Sequence, residues 1–325
     1  MSVRFSAVDI ITGRITMKRI YITGIAGMLG SNIAYLLKDR YEITGVDKVP
    51  FNAEKIKYEQ FDLLDYEKLK QSVLQCAPDY LIHTAALINV DLCEDETGLA
   101  YQLNCELTKI LAEICEEISC KMVYISSDAV FDGEDERLYS EEDMTGPINE
   151  YGKTKLLGEA EVIKHNHLVV RTNIYGFNVQ DKNSFGEWVY KSLQQGETLN
   201  MFTDIDFSPI LVNDLTEVIV KLLEEDSHGL FHVCASGSIS KYEFGKYLQT
   251  VFSLTEGHIQ KSVSDNFPFK ARRSKHMGMN NEKVRQQLGI ELPTPKESVE
   301  RFFKLYRDCY HKELKEWGSA DNENR

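Results

Sequence analysis

Residues 19–30 read RIYITGIAGMLG, and this stretch decides the fold. Its first half is a short β-rich run. Its second half sets Gly24, Gly27 and Gly30 where a strand turns into a helix opening at Met28. Gly24 permits the tight turn, Gly27 lets backbone approach a pyrophosphate, and Gly30 lets the helix pack closely on the strand. The helix N-terminus then aims its free N–H groups at the phosphates. The stretch therefore predicts a dinucleotide site.

Outward from it, strand and helix patterns alternate. Helix Met28–Lys38 is followed by strand YEITGVD, a short strand near KYEQFD and a helix over Tyr66–Gln75. Strand DYLIHTAA, a long helix around 98–118 and strand KMVYISS come next, then a helix from Tyr151 and strand HLVVRT. Short apolar strands separated by helices predict a Rossmann-type, doubly wound parallel α/β sheet. The alternation loosens after Ile174, where a smaller C-terminal α/β substrate-binding region begins. A helix near 212–224 and the strand GLFHV at 229–233 look sheet-associated. The expected division is an N-terminal extension over 1–16, flexible and outside the fold, then a dinucleotide-binding domain over 17–174, to which 207–233 returns. Segments 175–206 and 234–311 build the substrate region, and 312–325 is a frayed polar tail.

Asp47 closes the second strand, where a carboxylate accepts hydrogen bonds from ribose hydroxyls and repels a 2′-phosphate. This favours NAD(H) over NADP(H), and the adjacent Lys48 softens the preference. Asp62 closes the third strand; it either meets the adenine amino group or only forms a turn. The expected cofactor set is Gly24, Gly27, Met28, Leu29, Asp47, Asp62, Leu63, Ala85 and Ala86, with Tyr151 and Lys155.

Tyr151 and Lys155 stand four apart, one turn apart on one helix face. An ammonium beside a phenol stabilises the phenolate and lowers the phenol's pKa. Such a phenol can protonate a carbonyl oxygen as hydride reaches the carbon, while the lysine holds the nicotinamide ribose. Ser127 ends strand MVYISS, in the crevice where such sheets bind ligands, and could hydrogen-bond the same oxygen. Its alternative is a turn or cap serine.

With these residues in place, the chain resembles the extended short-chain dehydrogenases/reductases, and among them the dTDP-4-dehydrorhamnose reductase type. The likeness rests on TGIAGMLG, FDLLD, PDYLIHTAA, LNCELTKILAE, YISSDAVFDG, YSEEDMTGPINEYGKTKLLGE and VVRTNIYG, in order over roughly 18–176. It implies an enzyme that reduces the 4-keto group of a nucleotide-linked deoxysugar with NAD(H) or NADP(H), as in the making of cell-surface polysaccharides. Ser127 is then the carbonyl-oxygen donor, Tyr151 the general acid and Lys155 the ribose-binding lysine. The substrate set becomes Ser127, Asp128, Asn104 and Arg273, with Asn104 as the asparagine that braces the active-site backbone. Three departures stand out. Ala129 replaces a usual tyrosine, Ile174 replaces an aromatic pocket residue, and Asn32 stands where some members carry a glutamate for a dimer-bridging magnesium. No metal is expected, and a homodimer is a family-level expectation.

Two other readings compete. An epimerase or dehydratase could use the same fold, though Asp128-Ala129 lacks a dehydratase's Asp-Glu pair. The regulatory subunit of methionine adenosyltransferase resembles the same family through its YISSD and YGKTK segments and would make this a non-catalytic partner.

Bulk properties narrow the partners. With 325 residues and 42% hydrophobic content the chain can bury a sizeable core. No apolar run is long enough to span a bilayer. A formal charge of −14 disfavours nucleic acid. Positive charge gathers locally at Lys270, Arg272, Arg273 and Lys275, which suits phosphate recognition or merely a solvated basic loop. Seven cysteines without a Cys-x-x-Cys favour reduced thiols and a cytoplasmic location.

Overall fold

The computed structural model describes residues 7–8 and 15–319. Of the expected extension, Ala7–Val8 pairs antiparallel with Ile15–Thr16; residues 1–6 and 9–14 lie outside the described residues.

Seven parallel strands form the main sheet: β1 (Arg19–Thr23), β2 (Glu42–Asp47), β3 (Ile56–Gln60), β4 (Tyr80–His83), β5 (Lys121–Ser127), β6 (Leu168–Thr172) and β7 (Gly229–His232). Their spatial order is β7-β6-β5-β4-β1-β2-β3. The chain winds outward from β1 in one direction, then crosses back to β4 and winds the other way. A crevice opens at that reversal, beyond the strands' C-terminal ends.

Strand alternation explains why both faces are covered. Ile20, Ile22, Ile82, Val123 and Val170 point to one face, against Ile33 and Leu37 of helix Met28–Leu37 and the helix Val212–Glu224. Tyr21, Leu81, Met122, Tyr124 and Val169 point to the other, against Leu69, Leu107, Leu111 and Val162. A sheet buried on both faces reads as continuous apolar runs, which is what β4 and β6 show.

A second core lies beyond the C-terminal ends of the strands. Tyr175, Phe177, Phe207, Phe244 and Phe302 are fully or almost fully buried there. Short strand pairs frame it: Thr198–Phe202 with His258–Ser262, and Asp206–Phe207 between Ile239–Ser240 and His276–Met277.

Two elements depart from expectation. The helix foreseen around 98–118 is broken: Thr97–Tyr101 passes through a π-helical turn, Gln102–Glu106, into Leu107–Glu117. The expected fraying from 312 does not hold through 319, because Tyr310–Gly318 is a helix. Tyr310, Leu314 and Trp317 share one face of it and pack inward, and the Tyr310 hydroxyl donates to Asn32 Oδ1 at 2.8 Å. Residues 320–325 lie outside the described residues. Among the described residues no helix is long and apolar enough to cross a membrane.

Candidate active site

The crevice is a cavity of about 820 Å³. Gly24, Gly27, Met28 and Leu29 line one end. Gly24 has φ +75°, and a Cβ there would come within 2.7 Å of the Ala85 nitrogen. A Cβ at Gly30 would strike the Gly24 carbonyl oxygen at 2.4 Å. The turn therefore closes only with glycine at both places. Gly27 caps the helix without any side-chain hydrogen bond. The first N–H groups of that helix are thus left for a ligand, and the cradle fits a pyrophosphate.

Asp47, Asp62, Leu63, Ala85 and Ala86 line the same end. Asp47 Oδ2 accepts from the Ala26 N–H at 3.1 Å, so this carboxylate also ties down the turn. Burial raises its pKa, against the pull of backbone N–H groups. Asp62 is exposed and accepts from the Leu64 N–H at 3.0 Å, which is turn geometry, while still facing the cavity.

Ser127, Asp128, Tyr151 and Lys155 line the middle. Asn149 caps the helix Glu150–Lys164 through Oδ1, which accepts from the Gly152 N–H at 2.8 Å, and so sets Tyr151 in the first turn. Ser127 Oγ donates to Asp128 Oδ1 at 2.9 Å, and Asn173 Nδ2 donates to Asp128 Oδ2 at 2.5 Å. The neighbouring Ser126 is committed to the frame: it donates to Glu159, which holds Arg171 through a buried two-point ion pair of 2.8 and 2.7 Å.

The electrostatics correct one expectation. Tyr151 is not lowered by Lys155. Burial pushes the phenol up to about 12, with Asp128 and Cys93 adding to the rise and a hydrogen bond with Ser127 opposing it. Burial also brings Lys155 down to about 7, against the nearby Glu159 carboxylate and Cys93. The reason is placement: Lys155 Nζ lies 4.1 Å from the ring centroid of Tyr124, and burial is the largest cause at both groups. A phenol at about 12 stays protonated near neutrality, which is the state a proton donor needs.

Two substrate-side expectations are also revised. Asn104 does not line the cavity. It is fully buried in the π turn, accepts from the Leu87 N–H at 2.8 Å, and donates to the Leu87 carbonyl and Thr154 Oγ1. It braces the loop after β4 and is out of reach of a ligand. Arg273 does line the cavity, yet its guanidinium pairs with Asp91 at 2.9 Å and lies over Phe269. The expected local positive charge is largely neutralised in the same way. Lys270 pairs with Asp95, and Lys275 with Asp204 and Asp265. Of these four cations only Arg272, which is exposed, has no ion pair among the described residues. At Asn32, the place of the family glutamate, the amide is buried and bonded to Phe177 and Tyr310.

Asn173 and Lys241 both escaped the sequence reading. Lys241 Nζ sits 3.2 Å from the Phe207 ring centroid and 4.4 Å from that of Phe185, which lines the cavity. Burial lowers it to about 7, against the charge of Asp128. The available signal was its position: Lys241 is the first residue of helix Lys241–Val251, where a cation opposes the helix dipole.

With this geometry in view, the comparisons with known proteins are direct. The RmlD substrate binding domain matches residues 17–308. The chain belongs to the RmlD substrate binding domain family. The dTDP-4-dehydrorhamnose reductase of Sinorhizobium fredii is 31% identical over 258 residues, covering 74% of this chain and 85% of that protein. The methionine adenosyltransferase 2 subunit beta of Rattus norvegicus is 30% identical over 302 residues, covering 86% and 85%. The dTDP-4-dehydrorhamnose reductase of Bacillus anthracis, solved in complex with NADP, superposes with a TM-score of 0.81 at 30% identity, covering 89% of this chain and 99% of that one. The family and the Rossmann-type fold expected from YISSDAVFDG and the glycine turn are therefore met. Within this RmlD-family member, Ala129 and Ile174 both face the cavity.

Proposed function

We propose that this protein is an NAD(P)H-dependent reductase of the 4-keto group of a nucleotide-linked deoxysugar, of the dTDP-4-dehydrorhamnose reductase type. One observation carries the reading: Ser127, Tyr151 and Lys155 meet in the same cavity as the glycine turn and Asp47. The relatives named as such reductases support it. Bound in the cavity, the reduced dinucleotide supplies the hydride. Tyr151 gives its phenolic proton to the carbonyl oxygen, and Ser127 orients that oxygen once its hydroxyl turns from Asp128. Lys155 holds the nicotinamide ribose, the N–H groups at Met28 and Leu29 hold the pyrophosphate, and Asp47 takes the adenosine ribose hydroxyls. Asp128, fixed by Asn173, accepts a hydrogen bond from a sugar hydroxyl, and Arg273 faces the phosphates after exchanging its Asp91 partner.

The test is a screen of keto-sugar nucleotides with NADH and NADPH, followed at 340 nm. Ketosugar-dependent oxidation establishes the activity, the substrate and the cofactor together. A second reading, a non-catalytic subunit of a methionine adenosyltransferase, is favoured by the 30% identical subunit beta. Co-purification with such a synthetase, together with no oxidation across the screen, would replace the first reading by the second.

A further inference from the structure

Lys155 is almost fully buried, and Tyr124 beneath it is completely so. Tyr124 meets this lysine twice. The face of its ring lies under the ammonium, 4.1 Å from Nζ to the centroid. Its hydroxyl donates to the carbonyl oxygens of Asn104 at 3.0 Å and of Lys155 itself at 3.3 Å. The π turn explains how the Asn104 carbonyl comes to be available: it accepts from Tyr124 and also from Thr108 Oγ1 at 3.0 Å. Gly158, one turn past Lys155 on its neighbouring row, permits the approach, since a Cβ there would sit 2.5 Å from the Tyr124 hydroxyl. The ring also stacks on His83 at 5.8 Å and 25°. His83 is wedged in place by Thr23 Oγ1 at 2.7 Å and Thr108 Oγ1 at 3.2 Å. Burial first, and the Lys155 charge second, hold His83 at about 3, so it stays neutral and adds no repulsion.

We propose that Tyr124 is a positioning residue that holds the Lys155 ammonium, through the face of its ring, at the floor of the cofactor cavity. A desolvated cation over an aromatic face is attracted by the ring quadrupole, and this offsets part of the burial cost that drives Lys155 to shed its proton. The other titratable groups acting on Lys155 are Glu159 on its own helix, Cys93 on the neighbouring Val90–Asp95 helix and His83 on β4, while Tyr151, one turn earlier, lines the same cavity. Glu159 is already spoken for by Arg171. The ring is therefore the contact through which the sequence can tune this lysine without changing a charge. The inference rests on Lys155 as the ribose-holding lysine, and its test needs no sugar substrate.

The experiment is a pH titration of the Lys155 Nζ resonance in 15N-lysine-labelled, cofactor-free protein, assigned with Lys155→Met, alongside NADH affinity by fluorescence. Tyr124→Leu is expected to move the Lys155 titration down by about one pH unit. It should also weaken NADH binding roughly fivefold to tenfold at pH 7.5 by the same attraction. Tyr124→Phe, which keeps the ring and loses the hydroxyl, should titrate with the wild type. Should Tyr124→Leu fail to fold, fluorinated phenylalanines at 124 withdraw ring electron density at nearly constant shape. A graded downward shift with fluorination upholds the proposal. Unchanged titration in Tyr124→Leu or across the fluorinated series overturns it, and so does a full shift in Tyr124→Phe.

Discussion

The two ends of the cavity are built on different principles. The cofactor end comes from consecutive strand ends of one sheet: the glycine turn after β1, Asp47 on β2, Ala85 and Ala86 after β4. Its ligand groups are largely backbone N–H, and two glycines admit no side chain. The substrate end is gathered from far-apart segments: Asn173, Phe185 and Arg273 line it, Asn173 reaching Asp128 in the middle, and Lys241 lies over the Phe185 ring. Its charges are held in side-chain pairs, Arg273 with Asp91 and Asp128 with Asn173. The contrast teaches that one end is set by chain geometry and the other by tertiary packing. The first tolerates few substitutions and binds a constant ligand; the second can be rebuilt around a new sugar. If so, variants should separate cleanly into those that move cofactor binding and those that move sugar binding.

The largest effect falls on the chemistry between the two ends. Tyr151→Phe should lower kcat by about 10³-fold with both affinities nearly unchanged, since it removes only the transferred proton. Steady-state kinetics with NADH and the active ketosugar check this. A variant that keeps its turnover sinks the assignment of the proton donor.

The buried Lys155 and the half-buried Lys241 probe the ends separately. Lys155→Met should weaken NADH binding and lower kcat by about 10²-fold, since it removes an ammonium from the ribose. Its sign with pH follows from a value near 7 against the ordinary 10.5. The ammonium is present below about 7 and is lost as pH rises through it, so NADH affinity of the wild type should fall above neutrality. Stability runs the other way. Between about 7 and 10.5 the unfolded chain binds more protons than the folded one, so this group's contribution rises with pH. Lys155→Met should accordingly raise Tm at pH 7, by roughly 3–5 °C. Lys241→Met should instead raise the sugar KM about tenfold by removing a positive charge that lowers the Asp128 carboxyl's pKa, and leave NADH KM unchanged. Kinetics in which both lysines move the same KM would break the division.

How much of this could be read in advance follows the same line. Gly24, Gly30, Asp47, Ser127, Tyr151 and Lys155 each sit at a fixed offset from a strand end or within one helical turn, so local spacing was enough to place them. Asn104 braces the backbone at Leu87, as the resemblance implies, but it sits in a π turn and does not reach the cavity, which no 3.6-residue pattern anticipates. Asn173 meets Asp128, and Lys241 meets Phe185 and Phe207, only when distant segments of the chain fold together. The C-terminal helix was hidden because Tyr310, Leu314 and Trp317 are spaced among lysines and glutamates, and the buried face emerges only against Asn32 and Tyr35.

Arg273→Ala sharpens the substrate end. With its guanidinium already paired to Asp91 at 2.9 Å, part of any gain from a phosphate is offset by the broken pair. The expected loss is therefore modest, about tenfold in sugar-nucleotide affinity with NADH affinity unchanged. Calorimetry with both ligands checks it, and an unchanged sugar-nucleotide affinity would remove Arg273 from the site.

The smallest effect tests how firmly the cofactor end chooses between its two ligands. Asp47 presents a half-buried carboxylate where the adenosine ribose would lie, and its negative charge opposes a 2′-phosphate. Lys48, exposed on the cavity rim, attracts one. The relative from Bacillus anthracis was solved with NADP, so the fold itself accommodates the extra phosphate. The preference therefore comes down to one repulsion against one attraction, each screened by solvent and worth on the order of 1 kcal/mol. Asp47 also accepts from the Ala26 and Val49 N–H groups, so the replacement must still cap the turn. Asp47→Ser does so with a shorter acceptor. It should shift the kcat/KM ratio toward NADPH about fivefold, since it removes the repulsion and leaves Lys48 in place. An unchanged ratio would mean that the carboxylate serves the turn alone, and that even this end of the cavity reads its ligand through backbone.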